Sequence, residues 1–234
     1  MQRRCSLALW PSSRRRAVNA RNLRASLLTT AFLVTGCATA PPTKARVDVA
    51  PAADLYIVAE MLPGTNIAND TFCVGCNSQS NKMRALLRFD LSAVPADATV
   101  TAATLEISVL RARTRNNEVR VFSILEPWGA APAGASEGPT WGKRSAKLGD
   151  WSAPGGTLAA APSGSVVMDG PARYAIDAAS LTADVQRWID DPSSNHGWAL
   201  VGDETRAPTV KRIASSRHED EASRPRLVVS YVCP

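Results

Sequence analysis

Histidine is scarce in this 234-residue chain: His196 and His218 are the only two. They lie too far apart for the i, i+4 helical pair of a zinc hydrolase, and they leave general acid–base chemistry few candidates. Acidic residues are missing before Asp48. Long hydrophobic runs are missing too. The longest, Ala25–Val34, is well short of the roughly 20 residues of a membrane-spanning helix. No internal repeat is visible, which excludes solenoids and propellers. The acidic clusters Asp190-Asp191 and Glu219-Asp220-Glu221 read as solvated loop, not as the carboxylate pair a glycosidase sets across a cleft.

What is present begins with an address. Arg3, Arg4, Arg14, Arg15, Arg16, Arg21 and Arg24 precede the short apolar run, as in a secretory signal occupying residues 1–36. The run ends Leu33-Val34-Thr35-Gly36-Cys37, a pattern similar to a bacterial lipobox, so lipidation of Cys37 is expected. Ala38 after that cysteine gives no sign of inner-membrane retention, which points to the outer membrane of a cell envelope. The cut changes the charge argument. The whole chain holds 27 Lys+Arg against 21 Asp+Glu. Seven of those cations and none of the anions belong to the signal, so 20 cations face 21 anions in the rest. The basicity that would invite a nucleic acid partner leaves with the signal. Residues 37–53 are rich in Ala and Pro and read as a tether, leaving 54–234 as one domain, expected to be a monomer.

Met83-Arg84-Ala85-Leu86-Leu87-Arg88-Phe89-Asp90-Leu91 organises that domain. At period two it separates Ala85, Leu87, Phe89 and Leu91 from Arg84, Leu86, Arg88 and Asp90, a strand with one dry and one charged side. Strands also read from 54–59, 71–75, 173–177, 197–201, 210–214 and 226–232. Val100–Leu110 and Val119–Ile124, joined by Asn116-Asn117, read as a hairpin. Leu181, Val185, Trp188 and Ile189 have helical spacing, with Ser180 as candidate N-cap. The sum is an all-β antiparallel sandwich with one short helix. Between Glu126 and Pro171 lies a long stretch holding Trp128, Trp141 and Trp151, either packed down as a plug or offering a sugar-stacking platform.

Cys73-Val74-Gly75-Cys76 has redox or half-zinc spacing, but no helix start and no full ligand set accompanies it. One structural disulfide, Cys233 with Cys73 or Cys76, is the expectation for an oxidising compartment. Gly134-Ala135-Ser136-Glu137-Gly138 matches a nucleophile elbow in letters but lacks the strand before it. No cofactor is called for. Asp54, Asp70 and Asp90 are oxygen donors that a structural Ca²⁺ could take, the alternative being plain solvated carboxylates.

At the C-terminus, Ile213-Ala214-Ser215-Ser216-Arg217-His218-Glu219 and Ser223-Arg224-Pro225-Arg226-Leu227-Val228-Val229-Ser230-Tyr231 resemble the closing signature of the DNRLRE-domain family, close to carbohydrate-binding module family 96. Asp54–Ile57, Pro63–Asn66, the run 83–91, Val100–Leu105, Thr140-Trp141 and Val185–Trp188 resemble that family's earlier segments in the same order, so the likeness spans about residues 54–232. It implies a jelly-roll β-sandwich that binds polysaccharide, acidic ones included. The residues it carries over are Asn66, Arg84, Arg88, Arg217 and Glu219, with Trp141 as a stacking ring. The Cys73–Cys76 loop and the long Trp128–Trp141 insertion depart from the family. Three readings follow. The first is a surface-anchored, non-catalytic carbohydrate-binding module in which Arg84 and Arg88 hold uronate carboxylates. The second is a structural or adhesive envelope lipoprotein, and the third a polysaccharide lyase or hydrolase. Against the first stands the plainer expectation that the two arginines pair with Glu219 or another acid to knit strands together.

Overall fold

The computed structural model describes residues 43–59, 68–129 and 138–234. The expected signal, Cys37, Asn66 and Ser136 lie outside them. The described chain forms thirteen strands and one α-helix. The strands are β1 (Thr43–Val49), β2 (Pro51–Val58), β3 (Thr71–Cys76), β4 (Lys82–Phe89), β5 (Thr99–Ala112), β6 (Asn117–Ser123), β7 (Lys143–Ser145), β8 (Gly149–Asp150), β9 (Gly164–Met168) and β10 (Ala172–Asp177). After the helix α1 (Ala179–Asp190) come β11 (Trp198–Val201), β12 (Lys211–Ala214) and β13 (Arg226–Cys233). Pairing is antiparallel along one strongly curled path of nine strands, β1-β13-β5-β12-β3-β4-β11-β6-β9. β10 joins it on β5 and β2 on β4, while β7 and β8 form a small separate ribbon.

The 14-residue β5 is the spine. One edge carries β10, and the other carries β13 and β12 in line. Ile107 and Val109 of β5, Leu87 and Phe89 of β4, Val119 and Val121 of β6, and Leu200 of β11 all enter one core. α1 closes it with Leu181, Val185, Trp188 and Ile189. The helix also covers backbone that β10 does not reach: Val100 N donates to Gln186 Oε1 (2.7 Å) and Ala103 N to Thr182 Oγ1 (3.1 Å). A sheet edge is thereby kept from pairing with another chain.

Four expectations are corrected. β5 and β6 do not pair with each other: β6 lies between β11 and β9. Asn116 does take the left-handed backbone expected of it (φ 52°), yet the turn carries the chain across the core instead of along one edge. Residues 43–49 and 51–53, read as tether, are strand. β1 pairs with β13 from Thr43↔Cys233 to Val49↔Leu227 and alternates Ala45, Val47 and Val49 with Lys44, Arg46 and Asp48, so its charges suit an edge. Ser180 does not cap α1: the N-cap is Ala178, and Ser180 Oγ donates to Ser163 O at 2.9 Å. Finally, Cys73, Cys76 and Cys233 are free thiols. Cys73 lies in register with Arg212 and through it with Arg111 near one end of β5, whereas Val232 meets Thr99 at the other. Twelve residues of strand separate those positions, about 40 Å at the usual rise. A disulfide requires Cα atoms within about 7 Å.

Candidate functional site

The outward side of β4 is not a solvent face. Leu86 is fully buried there, in a second apolar cluster with Leu55, Ile57, Ile124, Trp128, Trp151 and Val201. The long stretch after β6 folds back over β4, and two of its tryptophans are the reason. Trp128 and Trp151 are buried, with Nε1 donating to His196 O (2.7 Å) and Thr140 O (3.0 Å) respectively.

Arg84 is enclosed in this cover. Its guanidinium makes a two-pronged pair with Glu204, Nε to Oε1 at 2.7 Å and Nη2 to Oε2 at 2.9 Å, and Nη1 donates to Gly155 O at 2.9 Å. Trp141 lies over it, 4.8 Å from Cζ to the ring centroid. So Arg84 does pair with an acid, but the acid is Glu204 and not Glu219. Register explains it: Val201 sits opposite Arg84 across the β4–β11 ladder, so the turn after β11 brings Glu204 alongside. With Arg84 stacked on it and Gly155 N donating to its backbone O at 2.6 Å, Trp141 packs, partly buried, against the same cluster.

Glu126 fastens the cover. It accepts from Ser152 N (3.0 Å), Ser152 Oγ (2.5 Å) and Thr157 Oγ1 (2.5 Å), and those donors hold its carboxyl down at about 2. A folded-state value depressed from the ordinary 4.5 adds stability that is complete above pH 4.5 and lost as pH falls toward 2. Acidification through that window is expected to change tryptophan fluorescence before global unfolding, and Glu126→Gln to abolish this first step. An unchanged acid profile in the variant would show that other carboxylates control the transition.

Arg88, four residues on, has a different setting. Its Cζ lies 5.1 Å from the Trp128 ring centroid and Nη1 makes a long contact of 3.5 Å with Trp128 O. It forms no ion pair among the described residues. His196 is held below its ordinary value by burial first and by the Arg88 charge second, against the pull of Asp191. Arg88 borders a half-open cavity of about 670 Å³ where β4 ends against α1, lined also by Phe89, Asp90, Trp188, Ile189 and Asn195. Asp90 accepts from Ser92 N at 2.9 Å, which holds its carboxyl low. Two residues of this wall, Trp188 and Asn195, hold the buried side-chain polar atoms without a protein partner among the described residues, Nε1 and Oδ1. Asn195 Nδ2 already donates to Phe89 O (2.9 Å). Buried polar groups are rarely left unpaired, so such a concentration marks a place where water or ligand supplies the partner.

The remaining expected residues do not gather here. Arg217 pairs with the buried Asp54 (2.9 Å) and donates to Asp54 O (2.6 Å). Asp54 also receives Ser216 N (2.6 Å) and Ser216 Oγ (2.7 Å), so this constellation clasps the β12–β13 loop to β2. Glu219 is exposed. With Asp54 engaged in that way and Asp90 capping a turn, the three aspartates do not converge. Among the described residues no group of three or more His, Cys, Asp or Glu is placed to hold a metal ion.

No protein-family model matches this chain, and no curated protein matches it either.

Proposed function

We propose that this chain is a non-catalytic binding module for an acidic polysaccharide, built as a jelly-roll β-sandwich of the DNRLRE type and held to the outer membrane by a lipid on Cys37. The observation that carries the proposal is Arg88, a guanidinium at the rim of a 670 Å³ cavity with no carboxylate paired to it among the described residues. Its place is taken by a uronate carboxylate, which a guanidinium meets with two parallel charge-assisted hydrogen bonds. The cavity falls within the usual range for small-ligand sites and is walled mainly by apolar side chains. Asp90 at the same rim is an acceptor for sugar hydroxyls. Arg84 and Trp141 serve this reading indirectly, by holding down the cover on which Trp128 and hence Arg88 rest.

Affinity electrophoresis of the purified full chain through gels containing alginate, pectate or a neutral glucan tests it. Wild type is expected to be retarded by the two uronate polymers and not by the glucan. Arg88→Gln should weaken the effect about ten- to hundredfold, the value of one hydrogen bond to a charged group. The basic N-terminal run is common to both proteins and cancels in the comparison. Equal retardation of the two, or none of either, would sink the proposal.

A further inference from the structure

A second groove, of about 290 Å³, lies at the other end of β4 and is lined by Tyr56, Cys73, Met83, Arg111, Arg113 and Arg212 among others. Its chemistry is unlike that of the first. Arg111 stands directly opposite Arg212 across the β5–β12 ladder, and Arg212 directly opposite Cys73 across β12–β3. Like charges facing each other across strands repel. Here the sheet goes out of its way to create the pair. Ile213 pairs with Val109 while Arg212 pairs with Arg111, so one residue of β5 is extra at this point. Without that bulge Arg111 would share the core-facing side of Ile107 and Val109; with it, Arg111 turns outward beside Arg212. Arg113 follows on the same side, its N–H donating to Val210 O at 3.0 Å. All three arginines are exposed, and none forms an ion pair among the described residues. No carboxylate lines the groove. Behind it, Lys211 is buried with Nζ donating to Thr114 O (2.5 Å), and burial pulls its ammonium below the ordinary lysine value.

We infer that this groove binds a tetrahedral oxyanion, a phosphate or sulfate group. Three guanidinium forks, one each from β5 and β12 and one just after β5, offer more N–H donors than the two oxygens of a carboxylate can use, but they match the three or four oxygens of a tetrahedral anion. Tyr56 and Ser78 also line the groove, and their hydroxyl groups are the kind of donor that can complete the oxygen shell. The anion enters as the free ion or as the ester group of a substituted polysaccharide. The inference does not depend on the Arg88 cavity.

Thermal unfolding of the full chain, in low-salt buffer with chloride as the only inorganic anion, provides the test. Wild type, Arg212→Gln, Arg111→Gln and Arg88→Gln are each heated alone, with inorganic phosphate, with inorganic sulfate, and with a sulfated polysaccharide at matched sulfate concentration. Wild type and Arg88→Gln should rise by about 2–4 °C at a ligand concentration several times Kd. Arg212→Gln and Arg111→Gln should not rise with the inorganic ions, and should rise less than wild type with the polymer, which the Arg88 cavity can also engage. Without added anion both should melt at or above the wild-type temperature, because the cross-strand repulsion is relieved. A larger rise with the polymer identifies an ester group as the source, and a rise with the inorganic ions alone identifies the free anion. Both kosmotropic ions stabilise proteins generally, so an equal rise in all four proteins overturns the inference. So does no rise in wild type, or loss of the rise in Arg88→Gln alone.

Discussion

Arg84→Ala is expected to lower the unfolding free energy by about 3 kcal/mol, the lower end of the cost of breaking a buried ion pair from one side. The lower end applies because the two side chains keep 17% and 13% of their surface exposed. The loss has three sources. Glu204 is left as a largely buried carboxylate without its partner, Gly155 O loses a donor, and the Trp141 ring loses the cation beneath it. Replacing both charges, as Arg84→Met with Glu204→Leu, should recover most of the loss, since an apolar pair carries no desolvation penalty. Urea denaturation of wild type, Arg84→Met, Glu204→Leu and the double variant, with Arg84→Ala alongside, measures it. A double variant as unstable as the single one would mean that shape, and not uncompensated charge, dominates the site. Because Arg84→Ala weakens the fold, reduced glycan binding by that variant alone says nothing of direct contact.

A larger effect is expected at Gly197. Its backbone has φ +78°, and a Cβ there would fall 2.0 Å from Leu87 O and 2.9 Å from Arg88 Cα. Both are backbone atoms of β4, which cannot swing aside as a side chain does. The left-handed conformation alone costs a non-glycine residue about 1–3 kcal/mol, and the overlap adds to it. Gly197→Ala should therefore lose more than about 4 kcal/mol, in the exceptional range for a point change, or yield no soluble protein. Gly155 is the contrast. It has φ +86° and its Cβ would meet Arg84 Nη1 and Trp141 at 2.7 Å, but both are side chains. Gly155→Ala should stay near the conformational cost alone, about 1–3 kcal/mol. Melting temperatures and soluble yields of the two variants decide this, and similar losses at both positions would contradict it.

The sheet was largely legible because strand periodicity is local. Ala85, Leu87 and Phe89 fall in the core as the alternation of β4 requires, and β11, β12 and β13 lie within a residue or two of their expected bounds. What stayed hidden depends on register between distant segments. The charged side of β4 reads as solvent-facing, yet Leu86 is buried because a stretch some forty residues later folds over it. Glu204 becomes visible only once Val201 is known to face Arg84. The thiols of Cys73 and Cys233 are plausible partners by count and impossible ones by ladder position. β1 is the instructive case. Its residues alternate from Lys44 to Val49, but the Ala/Pro-rich composition just before it is also that of a tether, and only the pairing with β13 distinguishes the two.

Thr43 and Cys233 face each other at the open end of the β1–β13 ladder, so the first and last described strands finish as neighbours, about 5 Å apart at Cα. A few added residues could join them into a ring, and the chain could be reopened elsewhere without altering the sheet. The same closeness means that a fluorophore attached after Pro234 would emerge beside Thr43, and would report the wetness of its surroundings.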